Sequence, residues 1–280
     1  MPGFSVPLTS KEIVVTTADK PKTALVNGRL WSARAQDWAN IQEGQFASAY
    51  EAVFKACAVS TGTKYCDIGC GAGMAALLAS QRGANISGLD AAASLLTIAR
   101  LRVPSADFCQ GDLEELPFAN HSFDLVTGFN SFQYAASPIA ALIEARRVAK
   151  PAGQVVLMTW GDPEGMEAAS IVAALKPLLP SPPPGAPGPF ALSDREALKA
   201  LAESAGLQPT EISDVLCHWH YPDLATALRG LGSSGVAVRA AENSSDEAVN
   251  AAHAAALAPF RQNDGSYKIG ASFRWLLASA

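Results

Sequence analysis

The sequence predicts an α/β fold, a mostly parallel sheet with helices on both faces and a helical lid. Three observations carry that prediction. Short apolar runs end in an acid at Asp67, Asp90 and Asp112; helical apolar patterns follow the first two; and Gly69, Gly71 and Gly73 punctuate the first crossing from strand to helix. Strands that alternate with helices build βαβ units, and βαβ units build parallel sheets.

With 280 residues, 49% of them hydrophobic, the chain can bury the core of one large α/β domain, with or without a lid. The net charge is -5 and no basic cluster stands ready to neutralise phosphates, so no nucleic-acid partner is expected. No uninterrupted apolar run is long enough to span a bilayer, and the first residues lack the basic and apolar regions of a signal peptide. A cytoplasmic protein, monomer or homodimer, is the expectation. Five cysteines, Cys57, Cys66, Cys70, Cys109 and Cys217, are scattered, and no second Cys or His pair with zinc-site spacing accompanies Cys66 and Cys70. They read as buried reduced thiols, with no metal.

In chain order, residues 1–24 show little periodicity and read as an arm. From Trp31 the pattern turns helical: Trp31 and Trp38 are seven apart, and Tyr50, Val53, Phe54 and Cys57 continue an apolar stripe until Ser60-Thr61-Gly62. This segment packs on the core as a helical pair or lids a site, with Trp31, Trp38 or Tyr50 offering a π-face to substrate or a bound cation. Tyr65 to Gly73 is strand and tight loop, and Met74 to Ala79 opens a helix. Glycine lets the backbone turn sharply and lets a ligand approach main-chain N–H groups at a helix N-terminus. A dinucleotide loop reads G-x-G-x-x-G/A, but here Met74 fills the last slot and the Asp67 carboxylate stands just ahead of Gly69. That charge repels a pyrophosphate and suits a cationic ligand without phosphate.

Asn85–Asp90 reads as the second strand. Asp90 lies a little over twenty residues past the loop, where α/β folds place a carboxylate on ribose hydroxyls, and it equally suits the N-cap of a helix from Ala91 to Arg102. The third strand runs from Asp107 to Asp112. The fourth, Ser122–Asn130, leads into Ser131-Phe132-Gln133-Tyr134 at the carboxyl edge, where open α/β sheets bind ligands. A helix from Ile139 to Ala149, a turn at Lys150–Gly153 and a fifth strand, Gln154–Trp160, follow. Beyond them the pattern predicts an amphipathic helix over 164–179, a proline-rich crossing over 180–189, and a helix capped by Ser193 with Glu196 in capping-box fashion. Strand six, Glu211–Tyr221, helices Pro222–Gly232 and Asp246–Phe260, and an antiparallel last strand, Tyr267–Leu277, complete the map.

The loop Asp67-Ile68-Gly69-Cys70-Gly71-Ala72-Gly73 resembles motif I of the class I S-adenosylmethionine-dependent methyltransferases, in particular the small-molecule, UbiE-like group. Asp90, Gly111-Asp112-Leu113, Phe123-Asp124 and Pro151 occur in the family's order, across roughly residues 62–160. The resemblance implies a Rossmann-like, seven-stranded, mostly parallel sheet with an antiparallel last strand. It further implies S-adenosyl-L-methionine as cofactor, S-adenosyl-L-homocysteine as product, and no metal. It places Asp67, Gly69, Cys70 and Gly71 around the donor, Asp90 and Ala91 at its ribose, Asp112 and Leu113 at its adenine, and Phe129 and Asn130 near its methionine end. Residues 1–60 are then arm and lid, 61–160 the donor-binding core, and 161–280 the rest of the sheet with inserted helices over the acceptor.

The expected reaction is methyl transfer to a small, hydrophobic or aromatic metabolite, at oxygen, nitrogen or carbon, of the kind met among quinone and natural-product intermediates. Trp38, Tyr50, Gln133, Tyr134 and His218 are the candidate acceptor contacts. His218 and His220, alternate residues of one strand, share a face and are the candidate bases, with Tyr134 a third proton acceptor. His253, inside an alanine-rich helix, reads as structural. Rival readings are an RNA or protein methyltransferase, a nicotinamide-dependent oxidoreductase, and a donor-binding protein that transfers no methyl group. The acidic charge and the lack of Asn-Pro-Pro-Tyr tell against the first, and Asp67 and Met74 against the second.

Overall fold

In the computed structural model, which describes residues 23–181 and 189–280, seven strands form one sheet. The expected N-terminal arm, but for its last two residues, and the middle of the proline-rich crossing lie outside the described residues. The strands are β1 (Lys64–Ile68), β2 (Asn85–Asp90), β3 (Asp107–Gln110), β4 (Phe123–Phe129), β5 (Ala149–Trp160), β6 (Gln208–Tyr221) and β7 (Tyr267–Ser279). Their order is β3-β2-β1-β4-β5-β7-β6. Pairs from β3 to β5 are parallel, and β7 runs antiparallel to both β5 and β6. The Rossmann-like, mostly parallel sheet with its antiparallel last strand is present as expected.

Central strands are covered on both faces, so they read as nearly continuous apolar runs. Alternation still sorts their side chains: Tyr65, Leu125, Val156 and Phe273 join one cluster, while Cys66, Val126, Val155 and Leu276 join the other. Helices α1 (Ala24–Ser32), α2 (Ala35–Asp37), α3 (Ala47–Ala56), α4 (Met74–Ser80) and α5 (Ala93–Arg102) precede β3. Of these, α3 to α5 supply Phe54, Ala76 and Leu96 to the first cluster. On the other face, α6 (Pro138–Val148) brings Leu142 and α8 (Arg195–Ser204) brings Leu198; between them in the chain lies α7 (Ala168–Ala174). Asp194, not Ser193, caps α8, because Asp194 is the extended residue before the first turn and its carboxylate accepts from the Ala197 N–H at 2.7 Å.

The lids depart most from expectation. Between α2 and α3 the chain winds through a π-helical turn, Trp38–Gln42, and a 3₁₀ turn, Glu43–Phe46, so the N-terminal lid is a broken helix rather than a pair. Across the cleft stand α7, α9 (Leu224–Gly232), α10 (Gly235–Asn243) and α11 (Asp246–Leu257). α7 is shorter than the predicted helix, and the sequence pattern predicts no helix where α10 lies, opening on Gly235 soon after α9 ends at Gly232. Ion pairs Arg29–Glu242, Arg34–Asp246 and Arg229–Asp37 join the two lids at the surface. Among the described residues no helix is long and apolar enough to cross a membrane.

Candidate functional site

A cavity of about 760 Å³ opens over the carboxyl ends of β1 to β5 and is roofed by both lids. Its floor is the glycine loop. Gly69 has φ +79°, and a Cβ there would lie 2.4 Å from the Ser131 side chain, whose hydroxyl donates to the Ile68 carbonyl at 2.6 Å. Only glycine allows the loop after β4 to close this tightly on the loop after β1.

Two carboxylates face the cavity from successive strand ends. Asp90 Oδ2 accepts from the Gly71 N–H and Oδ1 from the Ala92 N–H, each at 2.8 Å. It therefore ties two loops together, and Ala92, not Asp90, occupies the cap position of α5. Burial raises its pKa, and those N–H bonds oppose the rise. Asp112, 8% exposed, accepts from the Glu114 N–H at 2.9 Å through Oδ1, while its buried Oδ2 has no partner among the described residues. An orphaned buried acceptor is costly unless a ligand donates to it. Ala91, Leu113, Phe129 and Asn130 complete this end, Asn130 in the left-handed region at φ 52°.

Asp67 is not in the lining. It is 2% exposed, at the centre of the sheet beside Thr127, whose hydroxyl donates to it at 2.8 Å and receives the Tyr65 hydroxyl at 2.7 Å. Burial pushes its pKa up to about 7, Thr127 lowers it, and the Glu43 and Asp90 carboxylates raise it further. The charge that bars an anion from the start of α4 is instead Glu43, from the lid. Its Oε1 accepts from the Ala72 and Met74 N–H groups at 2.9 and 3.4 Å, and its other oxygen pairs with Arg102. The expected approach of a ligand to those N–H groups is thus corrected: a side chain of the protein already holds them. No local pattern marks Glu43, because its partners are 29, 31 and 59 residues away.

Trp38, Tyr50 and Tyr134 line the cavity, and Cys70 and Gln133 do not. Tyr50 meets Phe129 edge-on at 4.7 Å, and Trp31 meets Trp38 at 4.8 Å and Tyr134 at 5.7 Å. Burial raises the Tyr134 phenol to about 12, which makes it a wall rather than a proton acceptor at neutral pH. His218 and His220 do share a face, but it is the solvent face of edge strand β6; Cys217, Trp219 and Tyr221 take the inner one. The larger apolar set turns inward, and neither histidine reaches the cavity.

Much of the remaining lining is apolar and aromatic: Phe46 and Trp160 pack on Phe273, Trp219 meets both of them, and Phe190 meets Trp160. His253 of α11 also lines the cavity and is 2% exposed. Its place was readable from Val249 and Leu257, four residues to either side on one buried stripe. All five cysteines are free, and among the described residues no His, Cys, Asp and Glu cluster is placed to hold a metal ion.

Residues 66–157 match a protein family described as a methyltransferase domain. A malonyl-[acyl-carrier protein] O-methyltransferase of Erwinia billingiae is 30% identical over 175 residues, 62% of this chain and 65% of that one. A demethylmenaquinone methyltransferase of Paenarthrobacter aurescens is 30% identical over 143 residues, 51% of this chain and 52% of that one. The chain spans about half the length of the first of the curated relatives it matches. Among solved structures, the [4+2]-cyclase SpnF superposes with a TM-score of 0.52 at 20% identity, covering 82% of this chain and 79% of that one, a likeness of fold alone.

Proposed function

We propose that this chain, which through residues 66–157 belongs to the class I S-adenosylmethionine-dependent methyltransferase family, transfers a methyl group to a small hydrophobic or aromatic acceptor. The observation that carries the proposal is the unpartnered Asp112 Oδ2 beside Asp90, in a cavity where Glu43 takes the N–H groups a pyrophosphate would need. Two carboxylates and no anion cradle fit a nucleoside with an amino group, ribose hydroxyls and cationic centres. In this reading Asp112 accepts from the adenine amino group above Leu113, Asp90 takes the ribose, and Gly69, Gly71 and Asn130 border the methionine end. The donor, when bound, supplies an activated methyl group. The protein's task is to hold the acceptor in line and keep water out, which the two lids and their aromatic walls serve.

Malonyl-acyl carrier and demethylmenaquinone, the substrates in the relatives' names, differ too much to fix one acceptor class for this chain. Because a cyclase shares the fold, the decisive assay reads transfer itself. Calorimetric titration is expected to give one site for S-adenosylhomocysteine and none for NADH, and labelled donor should pass its methyl group to a phenol, amine or indole in a screen. Asp112→Ala should weaken the nucleoside by about 10- to 100-fold, the loss expected when a charged hydrogen-bond partner is removed. Tight NADH uptake with no response to S-adenosylhomocysteine would defeat the reading.

A second test concerns the lid. A Cβ on Gly28 of α1 would lie 2.4 Å from the Ala91 carbonyl oxygen. Gly28→Val is expected to lift α1 from the end of β2 and cost about tenfold or more in affinity for S-adenosylhomocysteine. Melting of the core should change little, since α1 lies outside both main clusters. Unaltered affinity would show that α1 need not seat there.

A further inference from the structure

Two side chains that line the cavity each carry a buried polar atom that the fold leaves unanswered. His253 Nδ1 and Trp219 Nε1 are buried and have no hydrogen-bond partner among the described residues, and both side chains, 2% and 3% exposed, line this cavity. Neither is a leftover at the surface. His253 projects from the inner stripe of α11, which packs on α7 and α9, and Trp219 is held by Phe46 and Trp160. Buried groups of this kind are retained at a cost unless something in the space before them completes the bond.

Their chemistry limits what that something is. An indole N–H only donates, so it calls for a lone pair. Burial lowers the His253 imidazole to about 4, so the ring is neutral at pH 7, with one nitrogen donating and the other accepting. A hydroxyl answers such a ring in either tautomer. A carboxylate is disfavoured: among the described residues no arginine lines the cavity, and Lys176, the one lysine among them that does, is exposed. An anion placed beside Trp160, Ile171 and Leu231 would lose its hydration with no buried countercharge among the described lining residues.

We infer that this chamber binds a neutral, hydroxyl-bearing hydrophobic acceptor, its hydroxyl held by His253 and an oxygen lone pair met by the Trp219 N–H. The inference rests on reading the cavity as a donor and acceptor site, and it makes His253, not His218 or His220, the histidine that touches the acceptor. It also separates this chain's acceptor from one methylated on a free carboxylate.

The test uses the full chain with and without saturating S-adenosylhomocysteine, and three probes that share one ring system: 1-naphthol, naphthalene and 1-naphthoate. Calorimetry is expected to show naphthol bound about tenfold or more tightly than either of the others, the usual return of one buried hydrogen bond. His253→Phe should reduce the preference for naphthol over naphthalene several-fold, and His253→Phe combined with Trp219→Phe should erase it, while naphthalene and S-adenosylhomocysteine still bind; His253→Asn should restore part of the loss. In wild-type protein with ¹⁵N-labelled histidine, naphthol and not naphthalene should shift the His253 ring signals, which decides the matter even if the phenylalanine variant fails to fold. Failure of naphthol to bind, a preference that His253→Phe leaves undiminished, or tighter binding of naphthoate overturns the inference. If S-adenosylhomocysteine binds and the preference is missing, the chamber is misread; if the preference is present and S-adenosylhomocysteine does not bind, the donor reading falls alone.

Discussion

Glu43→Ala is expected to lower the free energy of unfolding by about 3–5 kcal/mol, the usual cost of stripping one partner from a buried ion pair. For a chain of this size that corresponds to a fall in Tm of about 10 °C. Glu43 is 3% exposed, and its carboxylate does two jobs: it satisfies the Ala72 and Met74 N–H groups at the start of α4 and balances Arg102. Arg102 also donates to the Ala72 carbonyl at 2.9 Å and the Ala39 carbonyl at 2.6 Å, so one guanidinium binds lid, glycine loop and α5 together. Without Glu43 that cation remains largely buried with two carbonyls and no opposite charge. Burial raises the Glu43 pKa and Arg102 opposes the rise, which is what a carboxylate retained for its partner looks like. Glu43→Ala combined with Arg102→Ala should cost clearly less than the two single losses summed. Denaturant titration of the four proteins measures this, and a single-variant loss below about 1 kcal/mol would mean the pair is net neutral.

Asp67→Asn should do the opposite at alkaline pH. The folded pKa of Asp67 is about 7 against an ordinary 3.8, so the folded state holds a proton the unfolded chain has released. Stability from this group is full below the unfolded value and is lost as pH rises through about 7, by roughly 4 kcal/mol at most. Asparagine removes the titration. The variant should therefore match wild type near pH 4 and exceed it by several kcal/mol at pH 8, as read by denaturant unfolding at both values. The proposed donor, being cationic, should favour the ionised carboxylate. Wild-type affinity for the donor should then rise with pH through about 7 and the variant should lose that slope. Parallel pH profiles for the two proteins would remove Asp67 from both roles.

The strand, loop and helix around Gly69 were legible because every feature there is local: an apolar run, an acid, and glycines where no side chain fits. The carboxylate separating this loop from dinucleotide loops was assigned to Asp67, whereas the one resting on the loop's N–H groups belongs to Glu43, supplied by a segment whose charge pattern says nothing about where it lands. Alternation paired His218 with His220 correctly, but period alone does not say which side of a strand is inside. The bulk of Trp219 and Tyr221 carried that information. The burial of His253 was harder to read: its alanine-rich helix hides one polar ring among small residues, and only the spacing to Val249 and Leu257 shows that the ring turns inward.

Chain order and sheet order disagree at one margin, where β7 lies between β5 and β6. The edge strand that presents Trp219 hydrogen-bonds within the sheet only to a neighbour made after it, with α9, α10 and α11 intervening. A chain growing from its amino end can thus pair β1 to β4 while the cavity wall on β6 still lacks its partner strand. The cavity wall that Trp219 supplies is therefore fixed only when β7 has paired with β6.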